Sequence, residues 1–224
     1  MPTTRRHAIA AALAAAFPSI SVADPAELRS LAPSQSATGD PEFLAFIDRI
    51  KAISARKDAR SLLALMGPVF RVDFDFGKGP ASFSRRWRPQ SPSSEVWPVL
   101  DRLLALPGYR YDPTLYVVPY VYGKFPIDLD PLAHVAATAD SVAVRELADA
   151  NAKEIATLGR QIVPTVENYQ VPVRLDKEEW IKVAPSPDTA GFVRASDVYS
   201  PAGYRAFFEK KAGRWRWISL VCAD

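Results

Sequence analysis

Cysteine occurs once in the 224 residues, at Cys222, so no disulfide can form within the chain and a cysteine-rich zinc site is excluded. Histidine is almost as scarce, with only His7 and His134, which excludes a histidine-rich metal centre. Glycine (10) is half as frequent as proline (20), a balance that favours short elements, edge strands and irregular connections over long regular helices. No apolar run approaches the ~20 residues a membrane-spanning helix needs, so no membrane span is expected. No Gly-rich phosphate loop, G-x-S-x-G elbow or dinucleotide fingerprint occurs, and no cofactor is implied.

What remains is a chain rich enough in hydrophobic residues (48%) to build a real core. Its first 23 residues read as an export leader: Arg5 and Arg6, an alanine-rich run from 8 to 17, Pro18 as a breaker, and Ser21, Val22 and Ala23 as a small-x-small cleavage site. The paired arginines before a weakly apolar run resemble a twin-arginine signal, which implies a periplasmic address; an ordinary secretory signal is the alternative. Removing Arg5 and Arg6 takes the formal charge from +3 to +1, which is no footprint for nucleic acid.

Residues 24–39, rich in Ala, Ser and Pro, predict a flexible lead-in. Asp40 then caps a helix that Pro41 opens, with Phe43, Phe46, Ile47, Ile50 and Ile53 on one face. A second helix is expected over 58–66, stopped by Gly67 and Pro68. Residues 70–76 alternate apolar and charged without a fault and predict a strand closed by Gly77 and Gly79. A further helix is expected over 95–106, one bent strand or two over 111–122, and a final hairpin over 204–209 and 214–222.

Between 140 and 200 the rhythm changes. Five short β-rich runs, at 142–146, 155–159, 162–166, 180–183 and 191–193, fall within about sixty residues and argue a small barrel or sandwich. The first carries V-x-V-R at Val142, Val144 and Arg145; the fourth carries W-x-K-V at Trp180, Lys182 and Val183; the fifth is Gly191-Phe192-Val193. In this order they resemble the bacterial SH3 domain, a binding module of envelope proteins. The flanking helices and strands, finished by a G-R-W-R-W strand from Gly213 to Trp217, resemble the nuclear-transport-factor-2-like superfamily, whose curved sheet forms a cone around helices. The two resemblances together imply an α+β fold: a cone-like domain of 40–135 plus 201–224, its curved antiparallel sheet packed on N-terminal helices, with an SH3-like β-barrel at 136–200 inserted before the last two strands. A plain tandem of two domains is the alternative. The orphan terminal hairpin is the reason to expect insertion, since it needs strands near 70–76 and 115–122 as partners.

The barrel resemblance implies a ligand groove at Trp180, Phe192 and Tyr199, rimmed by residues 168–176, that takes a peptide, peptidoglycan or an envelope protein. The alternative reading makes Trp180 and Phe192 barrel core, a reading that the apolar Val193 beside Phe192 favours for that residue, and Tyr199 reads as partly exposed. The cone resemblance implies an apolar pocket with Phe74, Trp87, Trp97, Tyr116 and Tyr120 as candidate walls, unless these rings fill the core. Asp73 and Asp75 share a strand face and could serve acid/base chemistry with a tyrosine, or simply lie in water beside Arg71. His134 and Cys222 are the one conceivable nucleophilic dyad, and Arg85, Arg86 and Arg88 either form an anion site or a solvated face. No catalytic residue and no metal site is assigned, and a monomeric, non-catalytic binding protein is the leading expectation; a small-molecule enzyme of the cone superfamily is the alternative.

Overall fold

The computed structural model describes residues 28–34, 39–73, 77–166 and 179–222. The first helix, α1 (Pro41–Ala55), starts as expected: the Asp40 carboxylate accepts from the Phe43 amide at 3.0 Å and satisfies one of the orphan donors of the first turn. Asp58 caps α2 (Ala59–Ala64) in the same way through Ser61. This helix is shorter than expected, because Met66 belongs to strand β1 (Met66–Val72) rather than to the helix, and Gly67 and Pro68 continue that strand rather than serving only as a stop. Pro68 is tolerated there for two reasons: β1 is an edge strand, and its register shifts between Met66 and Arg71. The alternation read over 70–76 holds at Phe70 and Val72, which are buried; Phe74, Asp75 and Phe76 lie outside the described residues.

Helices α3 (Gly79–Trp87) and α4 (Val96–Ala105) follow. The segment read as a bent strand divides in three: β2 (Tyr109–Asp112), β3 (Leu115–Val118) and the short helix α5 (Tyr120–Lys124), which Pro119 precedes. The chain ends in β11 (Arg205–Lys211) and β12 (Arg214–Val221), joined by Ala212 and Gly213, both at positive φ, as a two-residue hairpin turn requires.

The terminal hairpin lies in the middle of a five-stranded sheet of order β1-β12-β11-β3-β2. β11 runs antiparallel to β3, with Ala206 opposite Val118 and Glu209 opposite Leu115, and β12 runs parallel to β1, with Val72 opposite Leu220. The sheet is therefore mixed, not wholly antiparallel as expected, and the whole chain between Val118 and Arg205 intervenes between two adjacent strands. Its inner face stacks Phe43 on Tyr116 at 4.0 Å, and Trp217 meets Phe70 edge-on at 5.1 Å and lies parallel to Phe208 at 6.3 Å. With Ile50 of α1 and Leu100 and Leu103 of α4, these rings form the main core.

The intervening segment supplies β4 (His134–Ala137), β5 (Val142–Arg145), β6 (Glu154–Leu158), β7 (Ile162–Pro164), β8 (Trp180–Ser186), β9 (Thr189–Arg194) and β10 (Val198–Tyr199). They form a three-stranded sheet, β10-β4-β7, and a four-stranded sheet, β6-β5-β9-β8. The expected strands are present, and β4 and β10 are additional. Among the described residues they do not close into the barrel the sequence suggests: the two sheets meet through the single bridge between Thr165 and Val183, over a core of Val135, Val144, Val163, Ile181, Val183 and Val193.

Residues 28–34, within the stretch that composition marks as a lead-in, dock against this part of the molecule. Ser30 bridges to Gln161, the Leu31 amide donates to the Arg160 carbonyl, and Leu31 is buried. Arg102 of α4 ties the two halves by donating to the carbonyls of Ala195 and Val198, both at 2.7 Å. No helix among the described residues is long and apolar enough to cross a membrane.

Candidate ligand-binding face

Alternation along β8 and β9 sorts their side chains onto two faces. Ile181, Val183 and Val193 point into the core. On the other face Trp180 is directly opposite Arg194 and Lys182 directly opposite Phe192, and directly paired residues of antiparallel strands project to the same side. Each pair is a cation over a ring: the Arg194 guanidinium carbon lies 5.1 Å from the Trp180 ring centroid, and the Lys182 ammonium lies 5.9 Å from the centre of Phe192. Both rings are half-buried and Lys182 is exposed. The face extends into β5, where Arg145 is opposite Phe192 and donates to the Ala152 carbonyl at 2.8 Å.

Gly191 makes this juxtaposition possible. A Cβ there would come within 2.7 Å of the Arg145 carbonyl oxygen and of a Val144 methyl, so any side chain would push β9 away from β5. Two flat apolar surfaces interleaved with cations suit an extended chain that carries carboxylates, since rings supply contact area and cations supply charge complementarity.

Trp180 and Phe192 are thus brought together as the sequence suggests, and Tyr199 is not. It lies in β10, in the other sheet, 6% exposed, and packs with Leu31, Tyr120 and Ile162. Its hydroxyl donates to the Tyr204 carbonyl, Arg102 lies 5.4 Å over its ring, and burial pushes the phenol pKa well above its usual value. The partial exposure expected from the following Ser200 and Pro201 is therefore wrong: those residues are buried as well. Residues 168–176, the expected rim, lie outside the described residues. Lys182 and Arg194 were not picked out as site residues by sequence; pairing the two alternating runs across the Pro187-Asp188 turn would have placed them.

The remaining aromatic candidates that lie within the described residues are accounted for by packing. Trp87, Trp97, Tyr116 and Tyr120 are all buried in hydrophobic clusters, and Phe74 lies outside the described residues. The carboxylate of Asp73 is buried, not solvated, and pairs with Arg86 at 3.3 Å; Arg86 also donates to the Tyr204 hydroxyl at 3.4 Å. Burial raises the Tyr204 pKa, so its hydroxyl stays protonated. Arg85 turns to Ser82 and Arg88 is exposed at the helix end, so the three arginines do not converge on an anion. His134 donates Nδ1–H to the Asp130 carbonyl, while Cys222 lies beside Tyr204 at the end of β12. No three of His, Cys, Asp and Glu gather into a metal site among the described residues. No family model, curated protein or solved structure matches the chain.

Proposed function

We propose that the protein is an exported, non-catalytic binding protein of the cell envelope that docks an extended peptide across the outer face of β8 and β9. The observation that carries this reading is the paired arrangement of Trp180 with Arg194 and of Phe192 with Lys182, two cation-backed rings side by side on a face that the core does not need. The peptide is either the stem of peptidoglycan or a segment of an envelope protein; both are extended and bear carboxylates. Reading 136–200 as an SH3-like module carried by a nuclear-transport-factor-2-like cone is supported by the order of its motifs and by the sheet that continues on either side of it. The periplasmic address rests on the leader alone.

Co-sedimentation of the purified chain with isolated sacculi, alongside binding to an array of acidic and neutral peptides, tests the reading. Wild type should be retained by one of the two sources, and Trp180→Ala and Phe192→Ala should each weaken retention about tenfold, the scale of a hot-spot aromatic. Retention unchanged in both variants would remove this face from function.

A further inference from the structure

Arg205 stands apart from the other described arginines. It is 7% exposed, and its Nε–H has no hydrogen-bond partner. Among the described residues its one side-chain hydrogen bond is a long one, from Nη1 to the Gly203 carbonyl at 3.4 Å. Among the described residues no carboxylate pairs with it. A guanidinium withdrawn from water without an anion is unfavourable in a folded protein, and a ligand carboxylate would supply the missing charge.

The surroundings specify what that ligand is. Arg205 and Phe207 alternate with Ala206 and Phe208 along β11; the latter two face the core of the five-stranded sheet, so the former lie on its outer face. There α5 brings Tyr122 against them: the Arg205 guanidinium carbon lies 4.5 Å from the Tyr122 ring centroid, and Tyr122 meets Phe207 edge-on at 5.7 Å. Tyr109 and Tyr111 of β2 form a second edge-to-face pair at 5.1 Å. Gly123 lets α5 settle against Tyr109, since a Cβ there would come within 2.5 Å of the Tyr109 ring. Tyr111 is 47% exposed and forms the open side. Burial and the neighbouring Tyr122 and Tyr109 raise its pKa, while Arg205 is close enough to oppose them, so Tyr111 remains a hydrogen-bond donor at neutral pH.

We propose that Arg205, with Tyr111, Tyr122 and Phe207, forms a second binding site on the outer face of the five-stranded sheet, which takes the carboxylate of a small organic monoanion with an apolar body. One guanidinium matches one negative charge, the tyrosine hydroxyls supply further donors, and the ring faces cover the body of the ligand. This site is separate from the β8–β9 face and does not depend on it.

Benzoate is the probe, benzamide its neutral isostere and inorganic phosphate the competing anion. The full chain is titrated with each while the arginine Nε–H and tyrosine ring resonances are followed by NMR. Benzoate should move one arginine Nε–H, that of Arg205, together with the ring signals of Tyr111 and Tyr122; benzamide and phosphate should bind at least tenfold more weakly. Arg205→Gln should abolish the response, and Tyr111→Phe should weaken benzoate about tenfold. Equal binding of benzoate and benzamide, or an arginine Nε–H spectrum unmoved at saturating benzoate, would overturn the proposal. So would phosphate binding as tightly as benzoate, because it would contradict the carboxylate class. Should Arg205→Gln fail to fold, Tyr111→Phe decides the matter, and unchanged benzoate affinity in that variant counts against the site.

Discussion

Trp180 and Arg194 are directly opposed across β8 and β9, with the guanidinium carbon 5.1 Å from the indole centroid. The pair sits on a half-buried face, whereas Trp217 is fully buried between Phe70 and Phe208. Trp180→Ala should therefore lower stability by about 1 kcal/mol or less, the scale of one cross-strand contact. Trp217→Ala should cost about 3–5 kcal/mol. Denaturant unfolding of both variants distinguishes the two environments, and equal losses would mean that Trp180 is a core residue.

Tyr199 is a structural residue of the seam between the two halves. Tyr199→Ala removes a buried ring and leaves the Tyr204 carbonyl without its donor, so a loss of about 3–5 kcal/mol is expected. Tyr199→Phe keeps the ring and should cost about 1 kcal/mol. Thermal and denaturant melts check this; a Tyr199→Ala variant as stable as wild type would contradict the packing described.

Alkaline pH should weaken the fold through the same group. Burial raises the pKa of Tyr199 and of Tyr204 in the folded state above that of an unfolded tyrosine, so the folded chain holds these protons more tightly. This contribution is fully present below the unfolded pKa, about 10, and is lost as pH rises from there toward the folded values. Stability measured from neutrality upward should fall above about pH 10, and Tyr199→Phe should flatten that fall. An unchanged slope in the variant would mean that Tyr199 does not contribute.

Truncation after Ser200 removes β11 and β12, the two strands on which β1 and β3 depend. The first helices and strands should then lose cooperative unfolding along with the hairpin, because Phe208, Trp215 and Trp217 leave the core. A truncated chain that still melts cooperatively would argue for independent units.

Export predicts a mature terminus at Asp24, after the Ser21-Val22-Ala23 site. N-terminal sequencing of the periplasmic form is the check, and a terminus at Met1 would contradict it. Replacement of Arg5 and Arg6 by Lys should block export if the twin-arginine route is used, and normal export would assign the ordinary secretory route.

Local chemistry was legible in the sequence wherever one residue acts alone. Asp40 with Pro41 announced α1, alternation announced Phe70 and Val72, and the orphan hairpin announced partners that β1 and β3 supply. What depends on distant partners was not. Met66 reads as the end of a helix, with Gly67 and Pro68 as its stop, until β12 pairs with Met66 in parallel, and His134–Ala137 has too little alternation to mark β4 before β7 and β10 pair with it. At the site, Trp180 and Phe192 stood out as aromatic residues in matched motifs, but their cations are set by cross-strand register. Tyr199 was misread because its exposure depends on Arg102 and Leu31, about a hundred residues and more upstream, and nothing local reveals them.

The most direct test of the β8–β9 face is photocrosslinking from within it in cells. Benzoylphenylalanine at Ala190, exposed on the same face of β9 as Phe192 and Arg194, is compared with the same group at Arg214, exposed on the terminal hairpin. Adducts with peptidoglycan or an envelope protein are expected from position 190, should disappear when Trp180 is also replaced by alanine, and should be absent from position 214. Adducts of equal yield from both positions, or none from position 190, would rule out the β8–β9 face as the binding site.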